Sequence, residues 1–156
     1  MKLYHGTDLF SAEQILQKGI DISAGRKGLD FGTGFYVTPR LTQAIIWAKG
    51  TLAPCVLSME LDEDGLIIKG FDKPNKEWAE FVVRNRLRLP VCVDYDCVYG
   101  PMADYGVSRM YAKYMANKLT VEQAIEKVRQ DTNGWQWVVL TERAVKNVHD
   151  IRKVEI

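Results

Sequence analysis

The chain has no apolar run near the roughly 20 residues that a membrane-crossing helix needs. Its first ten residues, MKLYHGTDLF, carry one lysine and no apolar h-region, which argues against a standard secretory signal. Neither sign of charge is in excess: 21 lysines and arginines face 20 aspartates and glutamates, a formal net charge of +1. No global field therefore points to nucleic acid or to an anionic membrane. The three cysteines, Cys55, Cys92 and Cys97, are an odd number without metal-ligand spacing. They read as reduced, mostly buried thiols of a cytoplasmic protein, not as a disulfide framework. There are two histidines, His5 and His149, and no G-x-S-x-G, so nothing local supports hydrolase chemistry by a nucleophile and its base. Metal ligands at useful spacing are lacking too. Gly32-Thr33-Gly34 has no third glycine and enters a strand where a dinucleotide fingerprint leaves one; no Gly-Lys-Ser/Thr follows it as in a P-loop. Repeats, low-complexity segments and linkers are absent, and 156 residues suit one domain spanning 1–156.

What is present is organised around Asp30 to Ala48, DFGTGFYVTPRLTQAIIWA. Two close glycines allow positive φ or close approach to a ligand. Phe35, Tyr36 and Val37 suit a half-buried strand. Thr38 is placed to cap a helix with Pro39 in its first position. Ala44, Ile45, Trp47 and Ala48 then give an apolar face. Around this stretch the pattern predicts a strand from Lys2 to His5, ending at Gly6-Thr7. A helix capped by a Ser11/Gln14 box follows and is closed by Gly19. Pro54 to Leu61 reads as a strand, Asp62 to Gly65 as an acidic turn, and Leu66 to Phe71 as the returning arm of a hairpin. Pro74 to Leu89 reads as a helix with Trp78, Phe81 and Val82 on one side. Arg84, Arg86 and Arg88 lie at its end, where cations complement the dipole or form a phosphate- or nucleic-acid-binding patch. Val93 to Tyr99 reads as a strand running into a turn-rich loop from Gly100 to Gly106. Beyond it come a helix from Val107 to Asn117, a helix with a Thr120/Gln123 capping box, and a turn at Asn133-Gly134. The chain finishes with a strand from Trp135 to Leu140, a short helix begun by Thr141, and a strand from His149 to Ile156. Strands and helices without a βαβ rhythm predict an α+β domain with a mixed, mostly antiparallel sheet.

A handful of residues are candidates for a site. His5 stands at a strand end before a glycine, where main chain and imidazole can both reach a ligand, although a structural histidine fits as well. Tyr36 and Trp47, eleven residues apart across a strand-to-helix turn, can border one cleft or simply serve the core. Gln136 lies between Trp135 and Trp137 and takes the opposite face of their strand, toward solvent or into a site. Asp104 beside the glycine–proline turn is a further candidate, or a loop cap.

Taken together, His5-Gly6-Thr7, Gly34-Phe35-Tyr36 leading to Trp47, and the late strand bearing Gln136 resemble the ADP-ribosyltransferase superfamily. The resemblance is to its His–Tyr–Glu branch, shared by diphtheria-toxin-like enzymes and poly-ADP-ribose polymerases. Tyr4-His5-Gly6, Asp30 to Tyr36, Asp96 with Gly100-Pro101-Met102-Ala103-Asp104, and Gln136 with Thr141 to Ala144 resemble, over nearly the whole chain, a small bacterial family long classed as a domain of unknown function. The resemblance implies a split β-sheet with flanking helices and NAD as substrate, with no metal. It implies His5 on the adenosine ribose, the Gly6 main chain on the nicotinamide amide, and Tyr36 and Trp47 on the two faces of the nicotinamide ring. Tyr4, Thr7 and Gly34 complete the NAD-binding set. The family's glutamate is replaced by Gln136, which can bond the ribose but stabilises an oxocarbenium-like charge less. Glu142 and Glu80 are the other candidates for that carboxylate. On this basis Gln136→Glu is expected to raise NAD glycohydrolysis. The implied function is mono-ADP-ribosylation of an unidentified protein or nucleic acid by an intracellular toxin or effector, with a small antitoxin protein as a partner. The alternative is a weak or inactive NAD-binding or interaction module on the same fold.

Overall fold

The computed structural model describes residues 1–156 except Val93, Tyr105 and Gly106, and describes Val107, Ser108, Thr132 and Asn133 by main chain only. The elements in order are β1 Lys2–Asp8, α1 Leu9–Lys18, a 3-10 turn at Ile22–Ala24, β2 Phe35–Val37, α2 Leu41–Lys49, β3 Pro54–Leu61, β4 Ile68–Gly70, α3 Lys76–Arg86, β5 Cys97–Ala103, α4 Val107–Met115, α5 Val121–Lys127, β6 Gln130–Val139, α6 Glu142–Lys146 and β7 Val148–Val154. They form two sheets, ordered β1-β3-β7 and β2-β6-β5-β4. Every pairing among these strands is antiparallel except β4 with β5. The class is α+β with mostly antiparallel sheets and flanking helices, as the irregular element rhythm implies.

Alternation along the strands sorts the core. Phe35, Val37, Trp137 and Val139 share one cluster with Leu3, Leu57 and Met59, so this face joins the two sheets. The opposite face of the four-stranded sheet, with Val98 and Val138, packs on Trp78, Val82 and Val83 of α3 and on Ala124 of α5. Helix α2 covers β1 and β3 through Ala44, Ala48 and Val56. Among the described residues no helix is long and apolar enough to cross a membrane. Cys55 and Cys97 are buried and Cys92 is exposed, all three free.

Several local expectations move. Strand β1 does not stop at His5: Gly6, Thr7 and Asp8 continue the ladder opposite Val56, Cys55 and Pro54. Helix α1 consequently starts earlier than a Ser11 cap would allow. Asp8 is its cap, accepting from the Ser11 N–H at 2.9 Å and the Ser11 hydroxyl at 2.7 Å. Thr38 and Pro39 do not open α2, because Thr38 is held in a bridge to Tyr4 and the helix begins at Leu41. Strand β4 is not a hairpin arm of β3; it lies in the other sheet, parallel to β5. Gly100 to Ala103 belongs to β5, not to a loop. Gly100 lets Phe71 sit where a side chain would be, its Cβ 2.9 Å from the position a methyl group would take. Pro101 lies beyond the three residues that β4 covers, so its missing N–H leaves no ladder gap. The expected strand residue Val93, and Tyr105 and Gly106 of the expected loop, lie outside the described residues. Asn133-Gly134 is not a turn between elements but part of β6. Pro101 pairs with Trp135 and Ala103 with Gln130, so extra β6 residues bulge out between these pairs.

Asp96 ties the far edge together. Its carboxylate accepts from the Ile67 N–H at 2.8 Å, the Thr141 hydroxyl at 2.6 Å, and Arg143 Nε at 3.1 Å and Nη2. The Arg143 contacts, helped by Thr141 and Ile67 against the cost of burial, hold the carboxyl well below the usual carboxylate range. A depressed folded-state value means stability present above the unfolded value, about 4, and lost as pH falls below it. Arg143 is 58% exposed, which screens its share. Asp96→Asn should therefore cost about 1–2 kcal/mol at pH 7. Urea denaturation should show that cost shrinking by about pH 3; an equal cost at both values would refute an electrostatic clamp.

Candidate functional site at the fork of the two sheets

The sheets meet at one bridge. Tyr4 donates its N–H to the Thr38 carbonyl at 2.8 Å and accepts from the Thr38 N–H at 2.9 Å. In an antiparallel strand a residue's N–H and C=O point to the same side, and its neighbours' point to the other. Tyr4 faces β2, so His5 and Thr7 face β3 and Gly6 again faces β2. Extending the register would put Gly6 opposite Tyr36, but the strands part there. His5 fills the fork instead: its Nδ1 lies 2.7 Å from the Tyr36 carbonyl oxygen. By this alternation the Gly6 N–H and C=O face the side on which β2 has parted from β1, away from β3.

This geometry fixes the histidine's state. A carbonyl only accepts, so Nδ1 carries the proton. Burial lowers the pKa of His5, against the raising effects of the Tyr36 carbonyl and of Asp8, and the neutral ring presents Nε2 as an acceptor. Nε2 has no partner among the described residues. The ring also packs on Phe35, with centroids 4.3 Å apart. Gly6 is required for a packing reason as well: a methyl group there would stand 1.9 Å from the Ala44 carbonyl oxygen of α2.

Tyr36 turns its side chain to the α3 face. Its hydroxyl donates to the Gly32 carbonyl at 2.7 Å and accepts from the Phe31 N–H at 3.0 Å, pinning the glycine loop, where Gly32 has φ +90°. Burial pushes the phenol well above its ordinary value, so it stays protonated. Gly34 has no room for a side chain either, with Val138 Cγ2 and the Val139 carbonyl oxygen both 2.6 Å from the position of a Cβ.

Gln136 shares that face with Tyr36, since Val138 pairs with Tyr36 and lies two residues on. It is 4% exposed, and its Nε2 donates to Asp30 Oδ2 at 2.8 Å. Asp30 also accepts from Arg86 Nε at 2.7 Å and from the Ala103 N–H at 2.8 Å. Arg86, 2% exposed, reaches the Asp104 carbonyl through Nη2 at 3.0 Å. The arginines at the end of α3 therefore part company. Arg86 is buried in this network, Arg84 pairs with Glu80, and Arg88 lies over the Tyr111 ring at 4.3 Å. Because Asp30 only accepts, the Gln136 carboxamide is oriented with its Oε1 left as an acceptor.

The fork thus gathers His5, the Gly6 main chain and the Tyr36 main chain, while the side chains of Tyr36 and Gln136 lie on the α3 face. Trp47 is half-buried on α2, and no ring contact joins it to Tyr36 among the described residues. The Tyr4 ring packs with Ala44 and Val56, and Thr7 continues β1 opposite Cys55. Glu142 sits in the first turn of α6. A cavity of about 370 Å³ opens beyond the pinned loop, lined by Phe31, Gly32, Thr33, Asn85, Tyr95 and Thr141 among others; His5, Tyr36 and Gln136 do not line it. Among the described residues no cluster suited to a metal ion occurs.

One residue of this region has no counterpart among the sequence-based candidates. Gln43, on the buried side of α2, donates through Nε2 to the Trp135 carbonyl at 2.9 Å and accepts at Oε1 from the Trp135 N–H at 3.0 Å. It stands in for the strand residue that β2 no longer supplies, past Thr38. A glutamine one position before the apolar Ala44 is the available signal.

Comparison with curated proteins finds no match. The chain belongs to the DUF3990 family, whose model, described as a protein of unknown function, matches residues 1–149.

Proposed function

We propose that the protein is an NAD-dependent mono-ADP-ribosyltransferase, with its NAD site at the fork of an ADP-ribosyltransferase-like split sheet. The observation that carries this reading is the pairing of the Gly6 N–H and C=O, on the side where β2 has parted, with the free Nε2 of a neutral His5 on the adjacent residue. A primary carboxamide such as that of nicotinamide offers one acceptor and two donors, which complements a main-chain N–H and C=O side by side. Nε2 accepts a ribose hydroxyl. Gln136, buried on the α3 face and bonded to Asp30, backs β2 and does not take the place of the family's ribose-binding carboxylate. The glycosidic C–N bond breaks with its electron pair leaving on neutral nicotinamide. The acceptor's nucleophile then bonds to the anomeric carbon and loses its proton to water. The acceptor is a macromolecule, a small antitoxin protein would act by covering the fork, and a cytoplasmic location accords with this role.

A second reading, an NAD-binding module with little or no turnover, draws on one feature. Gln136 is neutral and its amide is committed to Asp30, so charge stabilisation of an oxocarbenium-like ribose is weak. Calorimetry with NAD, alongside assays of nicotinamide release and self-modification, separates the two. His5→Ala should weaken NAD binding about tenfold or more while leaving a cooperative melt. Tyr36→Phe, which keeps the ring and loses the loop bonds, tests the glycine loop more cleanly than Tyr36→Ala, which opens a gap beneath α3. Binding without turnover selects the module; no NAD binding by the wild type rejects both.

A further inference from the structure

A second cavity, about 220 Å³, lies where the end of α3 meets α4 and α5. Its lining includes Arg86, Asp104, Arg109, Lys113, Leu119 and Lys127. Four cations thus face one carboxylate, in a chain whose formal net charge is only +1. Arg109, Lys113 and Lys127 make no ion pair among the described residues. Arg86 is fixed from behind by Asp30 and by the Asp104 carbonyl, through Nε and Nη2. Its Nη1 has no partner among the described residues. Among the described residues the Asp104 carboxylate is engaged only at long range, by the Arg129 N–H at 3.4 Å.

Like charges gathered around a concave surface favour an anion there. With Asp104 in the lining and Asp30 paired to Arg86, two of the four positive charges remain; a phosphoryl group, with two or more negative charges and several acceptor oxygens, matches them, where a single carboxylate would not. Arginine and lysine together supply a rigid fork and point charges suited to it. The volume admits a diphosphate group and falls short of the space that whole nucleotide-sized ligands occupy. We propose that this cavity is a phosphoryl-binding site that takes a diphosphate group, held by Arg86, Arg109, Lys113 and Lys127. The site shares no lining residue with the fork, so its failure would leave the NAD reading untouched.

Titration calorimetry with inorganic pyrophosphate tests it on the intact chain. One saturable site is expected, weakening as salt is raised from about 0.05 to 0.3 M. Lys113→Ala and Lys127→Ala, both at exposed positions, should each weaken binding about tenfold with unchanged melting. Lys49→Ala, on α2, should bind as the wild type does. Adenosine diphosphate distinguishes the source: tighter binding than pyrophosphate assigns the group to a nucleotide, weaker binding to an inorganic or protein-borne phosphate, and either order supports the site. Pyrophosphate binding no tighter than sulfate at matched ionic strength, or undiminished in both lysine variants, overturns it.

Discussion

Gln136→Glu is expected to destabilise the protein at neutral pH and to recover as the pH is lowered. Nε2 of Gln136 donates to Asp30 Oδ2 at 2.8 Å, and a glutamate at this position would turn that donor into a second carboxylate at the same distance. Two carboxylates so close cannot both ionise cheaply, and the pKa of one rises. Arg86 relieves part of the repulsion, and the expected cost at pH 7 is about 1–3 kcal/mol. For a raised folded-state value, the variant is fully stable below the unfolded value, about 4.3, and loses stability as pH rises through the folded one. The penalty relative to wild type should grow as pH rises from about 4.5 toward neutrality. That window lies above the range in which Asp96 begins to lose its clamp. Urea denaturation of both proteins at about pH 4.5, 5.5, 6.5 and 7.5 reads it directly. A penalty that does not change with pH would mean that the two side chains do not adjoin in solution. The expectation that glutamate here raises NAD glycohydrolysis is read on the same variant, where the new carboxylate lies beside Asp30.

What the sequence discloses is local. Thr120 and Gln123 form the reciprocal capping box that their spacing implies. Thr141 caps α6 and Gly19 closes α1 at φ 89°. Strand β3 occupies Pro54–Leu61 with its buried residues nearly continuous, as an apolar run between turn signals suggests. These features depend on neighbours within a few residues, and a linear pattern contains them. Partnerships across the chain are not legible in that way. Nothing near Ile68 says that it will pair in parallel with Cys97. Nothing near Arg86 says that its partner lies at Asp30, before the glycine loop. Arg86 resembles its neighbours Arg84 and Arg88, and only the fold separates a core ion pair from an exposed one. At the candidate site, the linear pattern suggests that His5, Tyr36 and Gln136 all point into one pocket. The structure brings His5 and Tyr36 together through a carbonyl, and gives Gln136 a buried partner that no spacing rule names.

That buried partnership should have a large energetic signature. Arg86→Met removes a guanidinium that is almost wholly buried and, among the described residues, leaves Asp30 with the Ala103 N–H and the Gln136 amide as donors. Stranding a buried charge in this way typically costs about 3–5 kcal/mol, a third or more of the stability of an ordinary domain. Arg86→Lys should rescue little, because an ammonium cannot reproduce two separated donors, one to Asp30 and one to the Asp104 carbonyl. The double variant Asp30→Leu, Arg86→Met should be more stable than the sum of its single variants by about 2 kcal/mol or more, since neither charge is then orphaned. A denaturation cycle over the four proteins measures this coupling. Additive costs would mean that the two groups do not pair in solution. The cycle also bears on the fork: Asp30 fixes the Gln136 carboxamide and, through Phe31 and Gly32 next in the chain, adjoins the loop that Tyr36 pins. In the double variant the Gln136 amide loses that partner, so backbone amides of the loop behind β2, the Phe31 N–H among them, should exchange faster even where global stability is restored.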